Sequence, residues 1–389
     1  MRRPVTDEFP ELRILWKLSG GHTEMELPNL TIRSIRTTAV SVPMARPLIT
    51  SIQTVRAAPL LLVDLETEQG VTGRAYLFCY IPLAAALIAR VVDELLGLIK
   101  GDRVAPLEIG AKVGNHFRLI GTTGVISMAL AALDMVGSDA LAVAADVPLA
   151  KFLGGNLKPI PAYNSNGLGL MNASACADEA EQLLEGGFRG VKLRLGYPTL
   201  EQDLEVARAV RTRLPDSVEL MTDYNQALSL DEAVRRGLAL DHEGLAWIEE
   251  PIRHDDYAGC AKIARELSTP IQIGENFSGP RAMMDAITAK AADFMMPDLA
   301  RIGGVSGWQE AASLAATNGV RISSHLFPEF SVHLLAASPT CHWLEYVDWA
   351  SPILAEPLAV VDGMVTPPNR PGSGVTWNDN AVSRYSIRI

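Results

Sequence analysis

The sequence lacks several features that would each assign a class of protein. Its four cysteines, at 79, 176, 260 and 341, form no Cys-x-x-Cys pair, which argues against zinc sites and disulfides and predicts free thiols. No phosphate-binding or dinucleotide-binding glycine pattern is present, and the run 303–307 does not fit a nucleophile elbow. Acidic residues outnumber basic ones by 45 to 34, so we expect neither nucleic acid nor a membrane surface as a partner.

Long uncharged apolar runs are also missing. The segment 81–99 is apolar, but Arg90, Asp93 and Glu94 interrupt it at helical spacing, which predicts an amphipathic helix and not a membrane span. The opening MRRP is not followed by the apolar stretch of a secretory signal, so we expect a cytoplasmic protein. With 389 residues, 48% of them hydrophobic, the chain is long enough for a barrel and a second domain.

The sequence pattern divides the chain into four parts. Strand-like alternation and a hairpin turning at 68–70 are followed by three helical stretches, which predicts an α+β domain. From Ile160 strands and helices alternate, and after about residue 350 the pattern gives way to a turn-rich tail that we expect to pack on the first domain. The predicted parts are an extension with a short helix at 12–18 (1–30), an α+β capping domain (31–155), a barrel (156–355) and a C-terminal segment (356–389).

Polar side chains recur at the ends of the apolar runs in the second half. When one residue is taken from each run, from Lys192 to Glu345, successive positions are 20 to 31 residues apart, about the length of one strand–helix unit. Only a closed parallel barrel brings the carboxyl ends of so many strands together, so the row predicts an α/β fold of the (β/α)8 TIM-barrel type. The members are Lys192, Arg194, Asp223, Asn225, Glu249, Glu275, Asp298, His325 and Glu345.

Three of these residues predict a metal site. Asp223, Glu249 and Glu275 end three neighbouring strands, where three carboxylates would repel one another unless a divalent cation lay between them. A site made of oxygen ligands selects Mg²⁺, with Mn²⁺ as a possible substitute, over zinc. Each acid taken alone would be a surface residue; the common position at strand ends favours the metal.

The next two strands end in Asp298 and His325, a carboxylate that would orient an imidazole and make it a better base. Lys192 and Arg194 are two residues apart on one strand, so both face the same side. Two cations, a metal and a base describe a site that removes the proton next to a carboxylate. The remaining histidines have no such setting and are predicted to be structural or exposed.

These motifs resemble the mandelate racemase group of the enolase superfamily. The likeness runs from about residue 31 to the C-terminus and rests on VKLRLGYP, DYNQ, WIEEP, GEN, MPD, RIGGVSGW, SSHLF and HWLE. It implies a modified (β/α)7β barrel under a capping domain, Mg²⁺ on the three carboxylates, and His325 of the dyad as the proton acceptor on one face. It also implies a small carboxylate substrate and a homo-oligomer.

The resemblance further assigns the substrate contacts. Glu345 would be a hydrogen-bonding acid at the substrate carboxylate, and segment 43–59, which has no clear period, would be the capping loop that closes over the substrate. Arg56 in that loop departs from an apolar lining and could bind a distal polar group. The other implied contacts are Lys192 and Ser165 to the carboxylate, Asn225 to the α-hydroxyl, and an apolar wall of Leu48, Val55 and Tyr80.

One departure from the family pattern leaves the overall reaction open. Mandelate racemase has a second lysine, the base for the opposite face, where this chain has Arg194. A neutral lysine costs about 4.6 kcal/mol at pH 7 and a neutral arginine about 7.5 kcal/mol or more, so arginine is a poor base and a good carboxylate clamp. The general likeness favours a racemase or epimerase of a 2-hydroxy acid, and Arg194 favours a dehydratase of an acid sugar. A scaffold without activity is a third reading, which absence of Mg²⁺ binding would support.

Overall fold

The computed structural model describes residues 29–389, so the extension and its predicted helix at 12–18 lie outside the described residues. The N-terminal domain is a three-stranded antiparallel sheet covered by helices. Gly73 lies so close to the longest of these helices that a Cβ atom there would meet the carbonyl oxygen of Val136 at 2.0 Å. The elements are β1 (Ile32–Ile49), β2 (Thr54–Thr67), β3 (Thr72–Phe78), α1 (Pro82–Ile99), α2 (Pro106–His116) and α3 (Val125–Ala144).

The expectation of a long aperiodic loop at 43–59 is wrong. Strands β1 and β2 continue through this segment as one hairpin, with Leu48 opposite Val55 and a short turn at 50–53. An irregularity between Pro43 and Leu48 interrupts the pairing and breaks the alternation that would have indicated a strand. The hairpin tip rests on the barrel, where the backbone N–H of Leu170 donates to the carbonyl of Ile49 at 3.0 Å.

The second domain is a parallel barrel, as the spacing of the polar row predicts. Strands β4 to β10 pair in order, β11 pairs with β4, and a bridge between Ile322 and Cys341 joins the two ends of the ring. The strands are β4 (Ile160–Asn164), β5 (Gly190–Arg194), β6 (Glu219–Asp223), β7 (Leu245–Glu249), β8 (Ile271–Ile273), β9 (Phe294–Met295), β10 (Arg321–Ile322) and β11 (Leu344–Tyr346).

The helices of this part lie between the strands and end in ways the sequence explains. Thr199 and Gln202 form a capping box, and Gly319 closes a helix in the left-handed conformation. The helices are α4 (Leu149–Phe152), α5 (Ala173–Gln182), α6 (Leu200–Arg213), α7 (Leu230–Leu240), α8 (Tyr257–Glu266), α9 (Pro280–Ala289), α10 (Leu299–Ile302), α11 (Gly304–Asn318) and α12 (Pro328–Ala336).

The C-terminal segment contacts both domains. Its hairpin, β12 (Val360–Val361) and β13 (Met364–Val365), pairs with β4, and α13 (Asp379–Tyr385) follows. Trp377 Nε1 donates to Asp64 Oδ1 at 2.7 Å, which joins the segment to the N-terminal sheet. Among the described residues one helix, α3, has the length and apolar composition of a membrane span, but 67% of that stretch is buried inside the fold.

His333 predicts how stability depends on pH. It is fully buried in α12, where Nδ1 accepts from the Ala150 N–H and Nε2 donates to the Ser373 carbonyl, which requires a neutral ring. Burial lowers its pKa from 6.5 to about 4. Its stabilisation is therefore complete above pH 6.5 and is lost as pH falls towards 4, by about 2 kcal/mol at pH 5.

We expect His333→Gln to lessen the loss of unfolding free energy between pH 7.5 and pH 5 by about that amount in urea titrations. The same substitution at the exposed His116 is the control. An unchanged pH dependence in His333→Gln would mean that the acid sensitivity comes from other groups.

Candidate active site

The polar row meets at the carboxyl ends of the barrel strands, under the N-terminal domain. The parallel register sets Arg194 beside Asp223 and Asp223 beside Glu249, and a bridge joins Asp298 to His325. All of these side chains are buried, although hydrophobic residues dominate the surrounding core. Charged groups that are buried away from water are costly unless they pair with one another, and such clusters are typical of functional sites. This end of the barrel is therefore the candidate active site.

Three carboxylates form the centre of the site. One oxygen each from Asp223, Glu249 and Glu275 lies within 4.8 Å of the others. Asn225 donates to both oxygens of Asp223, from its backbone at 2.7 Å and its side chain at 3.0 Å. Burial, followed by repulsion from neighbouring acids, raises the pKa of Glu249 to about 8. The cluster is thus short of positive charge and offers oxygen ligands, the set that suits Mg²⁺.

Lys192 supplies one cation to this cluster. Its Nζ lies 2.6 Å from Glu249, 2.7 Å from Glu345 and 3.5 Å from Asp223. Burial alone would lower its pKa, but attraction by Glu249 and Glu345 outweighs it and holds the pKa well above 10.5. Beside these carboxylates Lys192 is thus held as an ammonium, which can bind an anion.

Arg194 is tied to the loop that follows β4. Both hydrogens of Nη1 are used, by the carbonyls of Ser165 at 2.9 Å and Gly167 at 2.8 Å, and Nη2 donates to Ser165 Oγ at 3.1 Å. Its Nε is buried and has no hydrogen-bond partner among the described residues. The guanidinium thus fixes the loop through one end and keeps Nε and the second hydrogen of Nη2 for a ligand.

The predicted dyad is formed. His325 Nδ1 lies 2.7 Å from Asp298 Oδ2, and Nε2 faces the carboxylate cluster, 3.1 Å from Glu275 Oε2. Burial opposes the charged ring, but attraction by Glu275 and Glu345 and the bond to Asp298 hold the pKa of His325 well above 6.5. Because Asp298 fixes Nδ1, Nε2 is the nitrogen that can exchange a proton with a ligand in the site.

Glu345 connects the two halves of the site as an acceptor. It receives hydrogen bonds from Ser165 Oγ at 2.7 Å and from the backbone N–H of Leu326 at 2.8 Å. Burial would raise its pKa, but Lys192 and then His325 lower it to about 2. Glu345 is therefore ionised here, so the implied role as a hydrogen-bonding acid stays a prediction that requires it to gain a proton when a ligand binds.

The implied substrate wall lies on the N-terminal domain. Val55 is buried and Leu48 half-buried, and the Tyr80 ring packs 4.6 Å from Phe78, whose other neighbour is Trp349. Tyr80 Oη is buried without a partner among the described residues. Arg56 is exposed and its side chain forms no hydrogen bond or ion pair with the described residues, so its binding role stays a prediction.

The sequence reasoning missed several residues that support the site. Arg301 lies 5.2 Å from the Tyr80 ring and donates to Asn276 at 2.5 Å, and Asn276 in turn donates to Glu275 at 3.1 Å. Trp247 and Gln272 donate to Glu249, each at 3.2 Å. All four lie within three residues of a site residue or on the same strand, which is the signal that could have indicated them.

Comparisons with known proteins agree with this geometry. Residues 32–154 match the family described as "Mandelate racemase / muconate lactonizing enzyme, N-terminal domain", and residues 175–381 match "Enolase C-terminal domain-like". A 3,6-anhydro-alpha-L-galactonate cycloisomerase of Streptomyces coelicolor is 32% identical, over 84% of this chain and 91% of its own. An L-talarate/galactarate dehydratase of Salmonella typhimurium is 30% identical, over 90% of each chain.

A solved structure extends the likeness to a liganded protein. The chain is similar to an enolase from Bradyrhizobium complexed with magnesium and mandelic acid, with 38% identity and a TM-score of 0.89. The match covers 93% of this chain and all of that one. The relatives thus include proteins named for acid-sugar chemistry and one crystallised with an aromatic 2-hydroxy acid.

Proposed function

The chain belongs to the mandelate racemase/muconate lactonizing enzyme family of the enolase superfamily, and on that premise we propose that it is an enzyme that removes the proton α to a carboxylate. The observation that carries this proposal is the position of His325 Nε2. It faces the carboxylate cluster while Asp298 holds Nδ1 at 2.7 Å. A base beside an anion-binding centre is the minimum that α-proton abstraction requires.

Mg²⁺ is the proposed cofactor, held by Asp223, Glu249 and Glu275. The fit rests on three oxygens within 4.8 Å of one another and on the raised pKa values of Asp223 and Glu249, which burial produces and a cation would relieve. Bound Mg²⁺ supplies a Lewis acid that stabilises negative charge on a substrate carboxylate. Mn²⁺ could take the same ligands.

The chain's own residues supply the rest of the step. Lys192 and the edge of Arg194 that carries Nε would bind the substrate carboxylate. Asn225 would bind the α-hydroxyl through its buried Oδ1, which has no partner among the described residues. His325 Nε2 takes the α-proton, and Asp298 stabilises the resulting imidazolium. The β1–β2 hairpin of the N-terminal domain would cover the site and exclude water, which strengthens the interactions between the charged residues and the substrate.

Dehydration of an acid sugar is the overall reaction that we favour. Racemisation needs a base on each face of the substrate, and where the family pattern has its second base this chain has Arg194, a poor base whose guanidinium is already bound to two carbonyls. In dehydration one group suffices: His325 takes the α-proton, the β carbon–oxygen bond breaks, and the imidazolium returns the proton to the leaving hydroxide. The enol product then becomes a 2-keto-3-deoxy acid.

A racemase or epimerase of a 2-hydroxy acid is the second candidate. Its support is the implied apolar wall of Leu48, Val55 and Tyr80, which would suit a substrate with a hydrophobic group. Incubation with 2-hydroxy acids and acid sugars in D₂O with Mg²⁺ tests both. We expect an acid sugar to give a 2-keto-3-deoxy product that carries deuterium at C3, where solvent protonates the enol. Reaction of both enantiomers of a 2-hydroxy acid would support the racemase instead.

We expect Mg²⁺ to bind to the wild-type protein, and Glu249→Gln to weaken that binding at least about 100-fold, because a charged ligand is lost. Glu250→Gln is the matched control, since Glu250 is equally buried, next in sequence and bonded to Asn276. Calorimetry measures the affinity, and Mg²⁺ at 100 times Kd should add about 2.7 kcal/mol to the unfolding free energy. No binding to the wild type would instead favour a scaffold without activity.

We also propose a cytoplasmic homo-oligomer with a small carboxylate as its partner. Cys79, Cys176, Cys260 and Cys341 are all free, which suits a reducing compartment. Leu107, Leu119 and Ile120 are exposed on one side of the N-terminal domain, a surface that a second copy could cover. Light scattering on the purified protein tests the oligomeric state.

A further inference from the structure

The turn that follows His325 is unusual. Leu326 and Phe327 both have positive φ values, 53° and 50°, although neither is glycine. Such residues each cost of the order of 1–3 kcal/mol and persist only where the surroundings hold them. The turn carries His325 on one side and begins helix α12 on the other, so whatever holds it also sets the direction of the imidazole.

Contacts from two sides hold this turn. On the site side, the Leu326 N–H donates to Glu345 at 2.8 Å. On the other side, the ring of Tyr76 lies 5.5 Å from the ring of Phe327, and Tyr76 Oη donates to Glu329 at 2.5 Å. Tyr76 belongs to β3 of the N-terminal domain, whereas Glu329 is in the first turn of α12. The two domains are thus joined immediately behind the proposed base.

The Tyr76–Glu329 pair joins the two domains through buried polar groups, whose removal from water costs free energy. The side chains are 4% and 5% exposed, and burial raises the pKa of Glu329 to about 7, which the Tyr76 hydroxyl opposes. Removing the hydroxyl would leave a buried carboxyl without this donor. Ordinary packing between the domains would need only apolar side chains at these positions, as the neighbouring Phe327 and Phe330 show.

We propose that Tyr76 and Glu329 form a latch through which the N-terminal domain positions His325 for proton transfer. Neither touches the reacting atoms, so both are positioning residues. Through the latch, the orientation of His325 would depend on the position of the N-terminal domain, which also covers the substrate. This inference rests on the proposed role of His325.

The test compares kcat and KM for removal of the α-proton, followed as loss of the substrate's α-proton signal in D₂O. Tyr76→Phe and Glu329→Leu should each lower kcat about tenfold with KM changed less than twofold, because misplacement of a base by a fraction of an ångström slows the chemical step and leaves binding intact. Glu329→Gln keeps an acceptor for Tyr76 and should recover most of the loss.

Trp377→Phe is the matched control, because it removes a comparable bond between the N-terminal domain and the rest of the chain, the one to Asp64, which involves neither His325 nor the turn that follows it. We expect similar thermal midpoints for Tyr76→Phe and Trp377→Phe but an unchanged kcat in the latter. Equal kcat losses in both, no loss in Tyr76→Phe, or equal losses in Glu329→Gln and Glu329→Leu would each overturn the latch. If His325→Asn retained exchange, the proposed function itself would fail.

Discussion

Replacing His325 with asparagine should lower the rate of α-proton removal by about 10³–10⁴-fold, the upper range for loss of a general base. Asparagine keeps a polar side chain of similar length but cannot take a proton from carbon. His325 is the one histidine among the described residues that pairs with the carboxylate cluster, and Lys192 is already paired with Glu249 and Glu345. Proton NMR of the substrate in D₂O, at saturating Mg²⁺ and substrate, measures the change in kcat.

Two further variants make this result specific. Asp298→Asn leaves the ring in place but replaces the acceptor of Nδ1, so it should also lower kcat, by less than His325→Asn. His342→Asn changes a half-buried imidazole, packed against Phe294 and Trp247, and should leave kcat within about threefold of the wild type while its fold is checked by circular dichroism. Exchange that survives in His325→Asn would require a base elsewhere and would exclude the proposed step.

The arrangement of the barrel was predictable because each of its units is local. A short apolar run, a polar residue at its end and a helix of known length recur along the sequence, and parallel pairing brings the ends together. Asp223, Glu249 and Asp298 could therefore be placed on one rim from spacing alone. The hairpin turn at 68–70 was predictable for the same reason, since it depends on adjacent residues.

The features that could not be predicted depend on distant parts of the chain. The irregularity between Pro43 and Leu48 hid the long hairpin, whose tip is held by the loop at Leu170. The bond from Tyr76 to Glu329 spans 253 residues, and no local pattern indicates it. The hydrogen bonds from Arg194 to backbone carbonyls could not be predicted from the sequence either, because any residue type at positions 165 and 167 would offer the same carbonyl oxygen.

The hydrogen bonds from Arg194 to the loop at 165–167 change the expected effect of replacing this arginine. Had the arginine been only a clamp for the substrate, its removal would affect binding alone. Since it also holds the loop at 165–167, and the same loop continues to Leu170 under the hairpin tip, its loss should loosen the cover of the site as well. Two buried carbonyls would lose their donor, at about 1–3 kcal/mol each.

We therefore expect Arg194→Met to raise KM about 10- to 100-fold, the loss of a charge-assisted contact, while exchange at saturating substrate stays far above that of His325→Asn. Arg46→Met is the matched control. Arg46 lies on the hairpin, 3.3 Å from Glu179, which accepts from the Leu168 N–H, so its loss loosens the same loop without touching β5. A KM rise in Arg194→Met alone identifies a direct contact with substrate, whereas equal rises would assign the effect to the loop.

The outcome for kcat decides between the two overall reactions. If Arg194→Met still exchanges the α-proton and still releases a 2-keto-3-deoxy acid, one base is enough and the opposite face needs none. If it stops exchange as completely as His325→Asn, Arg194 takes part in proton transfer and the one-base scheme is wrong.

The variant Arg194→Lys tests whether a second base can be introduced, because a lysine there can lose a proton about 3 kcal/mol more easily than arginine. We expect Arg194→Lys to exchange the proton of both enantiomers of a 2-hydroxy acid, which the wild type, with one base, should not do.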